Sequence, residues 1–508
     1  MPGAKTNVTS TPAPYEESLD SHTLREGDSN VPREKSSGED ASPETRVSIQ
    51  EHKVKDEEKG ISDGWDRDPR NPRLWPAYRK WAAAGILSLY TLVSPLASSM
   101  IAPGLPEIAH AFGITNSTIA ALTLSIFILA YAIGPLFVTP LSEIYGRSWP
   151  LHISNIFFLV FNLACSWAPS TGSMIAFRFL AGLGGSAPLT IGAGSIADLF
   201  HENDRAVAMS LFSLGPLMGP IIGPIAGGFI TQDIGYKWVF RIISIASGVA
   251  AIFGIPLLQE TYAPVLRRRY GYSDLTPRGT LSGILVENLV RPLQLLTRSM
   301  ICFALSLYMA VIYGLLYLMF VTFSTLFASV YGWGPGVSGL GYLGLGIGFL
   351  LVAVIGSRLM TNLYLKLSER NGGQGKPEYR IPPLLCGTVL IIVGLLWYGW
   401  TAHVKAHWIL PIIGSGIFGA GMMCCFMPIQ LYLVDSFTYA ASAVAAATFL
   451  RSLFGFAFLL FGQRLFNAMG IGGGHSFLAG VAVLVGVPFP IWIYFKGEEM
   501  RARNPLNR

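Results

Sequence analysis

Twelve long apolar stretches, parted by short polar ones, constrain this chain more than any other feature. A bilayer-crossing helix needs about 20 mostly apolar residues. Such stretches lie at about 81–102, 118–139, 149–168, 173–195, 206–230, 238–258, 299–328, 336–358, 381–400, 408–432, 438–462 and 476–496. In lipid each backbone amide must find its partner within the protein, which leaves helices as the way for such segments to cross. The expected fold is therefore an all-α membrane protein of twelve transmembrane helices. The widest polar break, 259–298, divides six stretches from six. The expected organisation is a disordered cytoplasmic tail (1–75), a six-helix bundle (76–258), a central cytoplasmic loop (259–298), a second six-helix bundle (299–497) and a short cytoplasmic tail (498–508).

Charge is distributed to match. Residues 1–80 hold 16 of the 30 acidic and 13 of the 36 basic residues, so the overall charge of +6 does not point to nucleic acid. The tail is rich in Glu, Lys, Ser and Pro and poor in aromatics, and such a composition buries too little apolar area to offset ordering. The polar start lacks a secretory h-region, so the first apolar stretch is expected to remain as a span. Loop Lys and Arg fall mostly on one side, with Arg147, Arg205, Arg267 to Arg269 and Arg380 against Lys237, Arg241, Lys405 and Arg464 on the other. Positive charge marks the cytoplasmic side, so both termini are expected there. Asn116, in Asn-Ser-Thr, is a glycosylation candidate in the first outward loop. The five cysteines lie in apolar stretches without metal-ligand spacing, and no metal or cofactor is expected.

The halves carry weak internal matches. Ile133–Val138 reads like Ile347–Val352, and Asp198-x-Phe followed by Ala-Val-Ala reads like Asp435-x-Phe followed by the same tripeptide. Order and offsets favour two related six-helix units, as in transporters with parallel repeats.

The fifth stretch contains LGPLMGPIIGPIAGGF, residues 214–229. Glycine inside a helix costs about 1 kcal/mol and proline about 3. Gly215, Gly219 and Gly223 recur every four residues, hence on one face, and each is followed by proline: Pro216, Pro220 and Pro224. Small residues let membrane helices approach backbone to backbone. The face is either a tight, bent packing surface or an element along which a partner helix rocks, and the two readings are compatible.

This stretch resembles the antiporter signature of the major facilitator superfamily. PLSEIYGRSWP (140–150) is similar to that superfamily's short cytoplasmic loop motif. Leu141, Glu143, Gly146 and Arg147 match, while Thr139 stands where Gly is usual, Glu143 replaces Asp and Ser148 replaces a second base. Glu143 and Arg147 are four apart, within reach of each other if the turn is helical. With Asp198 and Arg205 they form a candidate inner charge gate. The runs NPRLWPAYRKW, QETYAPVLRRR, RPLQLL, SLYMAVIYGLLYLMF, PEYRIP and YAASAVAAATFLRSLFG resemble the fungal twelve-span drug:proton antiporters, so the resemblance covers about Asn71 to Lys496.

The resemblance implies two six-helix bundles related by a pseudo-two-fold axis around a central cavity, and proton-driven export of drugs, toxins or secondary metabolites by alternating access. It associates Arg178 with proton coupling; the alternative is that this side chain snorkels to the interface or bonds nearby carbonyls. Cavity candidates are Tyr308, Tyr313 and Tyr317 in the seventh span, and Met423, Met427, Gln430 and Arg451 in the tenth and eleventh. Aromatic platforms and adaptable Met side chains suit varied amphipathic solutes. Only 14 acidic residues follow residue 80, and none falls clearly mid-span, so no carboxylate stands out as a proton carrier. The expected partners are the lipid bilayer, a small-molecule substrate and protons, with the chain acting as a monomer in the plasma membrane or, alternatively, a vacuolar or other internal membrane. Uptake of a small nutrient such as a polyamine, vitamin or organic acid is the competing reading. No nucleophile–base pair, metal cluster or phosphate loop marks an enzyme.

Overall fold

The computed structural model describes residues 65–272, 281–437 and 440–503. Among the described residues, eleven helical runs are long and apolar enough to cross a membrane, and no strand occurs. In order they are α1 (Ala77–Ser99), α2 (Ser117–Tyr145), α3 (Ser148–Cys165), α4 (Thr171–Leu199), α5 (Glu202–Ile234), α6 (Tyr236–Leu257), α7 (Met300–Tyr331), α8 (Pro335–Arg370), α9 (Ile381–His403) and α10 (Ile409–Ser436), followed by one long run. That run breaks at Gly470, whose φ of 71° and ψ of 173° leave the helical region. It therefore contributes two crossings, α11 (440–469) and α12 (471–503). The loop expected between 462 and 476 is thus a one-residue turn, sharper than the sequence suggests because glycine tolerates a positive φ.

Local chemistry sets several helix starts. Asn116 caps α2 by accepting the Thr118 amide at 2.9 Å, and Ser170 opens α4 in a reciprocal capping box with Ser173. Helix α5 continues through Pro216, Pro220 and Pro224. Helix α8 holds a π-helical turn at Val352–Gly356.

The expected tail and loops are partly structured. Residues 1–64 lie outside the described residues. Trp65 is buried, packs edge-on to Tyr272 at 5.6 Å, and the Arg70 guanidinium lies 4.4 Å above the Tyr270 ring. Aromatic and cation–π contacts to the segment after α6 thus order 65–75, which composition alone assigns to the disordered tail. The expected central loop contains a short helix, Ala263–Arg269, and a longer one, Leu281–Arg298; residues 273–280 lie outside the description. The expected C-terminal tail continues α12 as far as Arg503, and 504–508 lie outside.

Small residues join helices within each half. A Cβ on Gly184 of α4 would lie 2.6 Å from the Ser154 carbonyl of α3, and one on Gly421 of α10 would lie 2.6 Å from the Ile391 nitrogen of α9. The halves meet along three pairs. Ile128 of α2 faces Gly455 of α11, Ser98 Oγ of α1 lies 3.4 Å from the Tyr317 hydroxyl of α7, and α5 packs on α8. The α5–α8 seam runs from Ile221 and Gly346 to Gln232, whose side-chain oxygen accepts the Gly336 amide at 3.0 Å. This seam lies toward the end of the molecule remote from Arg147.

Candidate functional site

Three groups of residues stand out: a charge cluster at one end of each half, the glycine face of α5, and the arginines and tyrosines buried in and near the meeting of the halves.

The first cluster begins at a broken helix. Helix α2 ends at Tyr145, and Gly146 takes φ 95°, ψ 172°, a region open essentially to glycine alone. Space demands glycine as well, since a Cβ there would lie 2.5 Å from the Glu260 carboxyl carbon. The break removes the helical register that would bring Glu143 back to Arg147, and Glu143 is exposed. The Arg147 guanidinium turns instead to α4, with Nε donating to Asp198 Oδ2 at 3.3 Å, Nη1 to Ser142 Oγ at 2.9 Å, and the Tyr262 ring 4.5 Å beneath it. Arg205 stays apart, donating to the Ala197 carbonyl at 3.3 Å near the end of α4. Leu141 is half-buried one turn before the break.

Glu260, not singled out by sequence reasoning, organises this cluster. Its carboxylate is 7% exposed and accepts the Arg147, Ser148, Thr261 and Tyr262 amides and the Ser148 hydroxyl at 2.8–3.1 Å. It thereby caps the start of α3, where unpaired amides favour an anion. The available signal was an acid just after a span, opposite a helix lacking an acid in its own first turn.

The second half repeats the arrangement. Arg380, just before α9, donates to Asp435 near the end of α10 at 2.8 Å and lies 4.4 Å above the Tyr364 ring. The Arg–Asp separations along the chain are 51 and 55 residues in the two halves. Glu378 is also buried, bonded by Arg501 at 3.0 and 2.7 Å and by the Tyr432 hydroxyl at 3.2 Å. Lys376, in the loop before α9, donates to the Glu498 carboxylate at 2.8 Å, which holds its pKa above the ordinary lysine value. Arg380, Glu378 and Arg501 were not candidates from the sequence, where they read as loop charges.

The glycine face of α5 lies against α1. A Cβ would come within 2.9 Å of the Leu92 nitrogen from Gly215, 2.7 Å of Pro95 from Gly219, and 3.1 Å of the Leu96 carbonyl from Gly223. The face extends one turn further than the sequence reading, to Gly227 against the Met100 backbone. The Ser99 hydroxyl donates to the Gly219 carbonyl at 3.1 Å. Pro224 lies toward α8, its carbonyl 2.7 Å from the Cβ position of Gly339, while Pro216 and Pro220 are half-buried.

Within the first half, Arg178 is fully buried and does not snorkel. Its Nε donates to the Thr123 carbonyl at 3.3 Å and Nη1 to the Ala97 carbonyl at 3.2 Å, with the Phe127 ring 4.5 Å away. Arg451 is 9% exposed, 4.9 Å over the Tyr313 ring and 5.1 Å over the Phe426 ring. Tyr313 and Tyr317 meet edge-on at 5.0 Å. Tyr308, expected beside them, points into the second half instead, its hydroxyl 2.6 Å from Thr388 Oγ1 and 3.4 Å from Cys425 Sγ. Met423 is buried on α10, Met427 packs partly buried against the core of this half, and Gln430 is half-buried near the cytoplasmic end expected for α10. Asn116 is exposed at the remote end, with its side-chain oxygen engaged as the α2 cap. Among the described residues no cluster of His, Cys, Asp or Glu is suited to a metal.

Known proteins share this architecture. The model of the Major Facilitator Superfamily matches residues 87–459. The MFS-type transporter penM of Penicillium rubens is 42% identical over 465 residues, covering 89% of this chain and 91% of the relative. The efflux pump vrtL of Penicillium aethiopicum is 43% identical, covering 86% and 90%, and the efflux pump radE of Floropilus chiversii is 41% identical, covering 87% and 84%. Among solved structures, a D-xylose-proton symporter superposes with a TM-score of 0.64 at 14% identity, covering 81% of this chain and 97% of the other. Family match, relatives and fold agree: the chain is a non-enzymatic, multi-pass membrane transporter and belongs to the major facilitator superfamily.

Proposed function

We propose that the protein exports amphipathic small molecules, of the drug, toxin or secondary-metabolite kind, in exchange for protons. The rocking bodies are 76–258 and 299–497, the Arg147 and Arg380 end is cytoplasmic with both termini, and the chain works as a monomer in the plasma membrane. The observation that carries this reading is the position of α5. Its glycines meet the α1 backbone on one side, while Gly228 meets Pro335 of α8 on the other. A helix smooth toward both its own half and the opposite half can shift without side chains unlocking. The relatives described as efflux pumps support the outward direction.

The test is transport in sealed inside-out vesicles under an imposed pH gradient, with a panel of labelled amphipathic solutes. An acid interior is expected to drive solute accumulation, and dissipating the gradient to abolish it. Accumulation indifferent to the gradient would rule out proton exchange.

A further inference from the structure

We propose that the solute is an organic anion, an amphipathic aromatic acid whose ionised group is held between Arg451 of the second half and Arg178 of the first. The inference rests on the transport reading above and names its substrate class.

Four observations combine. First, Arg451 makes no hydrogen bond among the described residues, and its buried Nε has no partner. Its two contacts are to ring faces, which leave its in-plane N–H donors unused. Second, Arg178 spends two nitrogens on carbonyls and leaves a buried Nη2 without a partner. Third, phenols from both halves come together here: the Tyr131 hydroxyl is hydrogen-bonded to Ser94 of α1, the Tyr317 hydroxyl lies 3.4 Å from Ser98 Oγ of the same helix, and Tyr317 meets Tyr313 at 5.0 Å. Fourth, among the described residues no carboxylate is hydrogen-bonded or ion-paired with either arginine.

An intramembrane cation is expensive and is ordinarily paired or directed into a polar site. Here the missing counter-charge can come from the solute. A carboxylate suits the planar fork of a guanidinium, which binds it through two parallel N–H bonds. Tyr313, Tyr317 and Phe426 offer the aromatic surface for the rest of the molecule. Two guanidinium groups repel a cationic solute at the same place. An interior-negative membrane potential also favours an anion leaving the cell, in the direction of export.

The test uses the purified full-length chain and three probes that share one ring system: 1-naphthylacetic acid, its amide, and 1-naphthylmethylamine. Binding is measured by calorimetry in detergent and movement by uptake into proteoliposomes. The acid is expected to bind about tenfold or more tighter than the amide, the scale of a charge-assisted hydrogen bond, with the amine weakest. Arg451→Gln is expected to bring the acid-to-amide ratio to about one, and Arg451→Lys, which keeps the charge, to retain part of it. An amide or amine that binds as well as the acid overturns the inference, as does an absence of binding by all three probes or a ratio that survives Arg451→Gln. The wild-type ranking needs no variant, so misfolding cannot mask it. Movement of amide and amine without an advantage for the acid refutes the anion site and leaves transport standing. Acid-selective binding with no movement of any probe refutes transport and leaves the site.

Discussion

Glu260 shows how one side chain can position another across the fold. Its carboxylate accepts five hydrogen bonds, three from Arg147 and Ser148 at the start of α3 and two from the Thr261 and Tyr262 amides, and Arg147 is one of its backbone donors. The guanidinium of the same residue is thereby aimed at Asp198. Gly146 is what lets the carboxylate come so close. Gly146→Ala is expected to destabilise the protein by about 1–3 kcal/mol, the usual cost of holding a residue in a sparsely populated backbone region. The measurement is thermal unfolding of the purified protein in detergent; an unchanged midpoint would count against the packing of Gly146 on Glu260. The sequence motif singled out Arg147 at this turn but misdirected its pairing, which is to Asp198 and not Glu143. Four-residue spacing selects Glu143 only where the helix continues, and the carboxylate packed on Gly146 lies 114 residues away in the chain.

At the scale of the element, α5 rewards its glycine repeat with backbone contact to α1. Gly219 leaves no room for a side chain, with Pro95 Cβ 2.7 Å and the Leu96 nitrogen 2.8 Å from where its Cβ would stand. Gly219→Leu is expected to abolish transport while leaving the amount of membrane-inserted protein near wild type, read by vesicle transport beside a surface-exposure assay. Unchanged transport would remove the argument for movement along this face. The spacing of Gly215, Gly219 and Gly223 made the shared face legible, because four residues are close to one helical turn. It could not name α1 as the partner, since that pairing is fixed by the whole bundle. Periodicity had more to give in α7. Tyr313 and Tyr317 are one turn apart, whereas Tyr308 is nine residues from Tyr317, about half a turn round the axis. That angle puts its hydroxyl against Thr388 in the second half rather than at the interface.

Over the whole molecule, the twelve crossings were legible because lipid imposes length and apolarity on every span. The surroundings of each side chain were less so: the sequence put Arg178 in the fourth span and Arg451 in the eleventh, but left open whether Arg178 snorkels or bonds carbonyls, a choice fixed by the Thr123 and Ala97 backbone of two other helices. The two halves carry matching Arg–Asp pairs at one end, Arg147–Asp198 and Arg380–Asp435, and are joined at the other end by α5 and α8. The proposed rocking of the two halves about their centre requires the two ends to open and close in opposition. Spin labels test this directly in lipid nanodiscs, in a variant whose five native cysteines are replaced. One pair is placed at Val207 and Leu359 at the Arg147 end, the other at Ile234 and Val337 at the remote end; all four positions are exposed. Distances are then compared at acid and alkaline pH, with and without 1-naphthylacetic acid. The account predicts that one pair draws together under the conditions that separate the other. Both pairs holding constant, or both moving in the same sense, would contradict it.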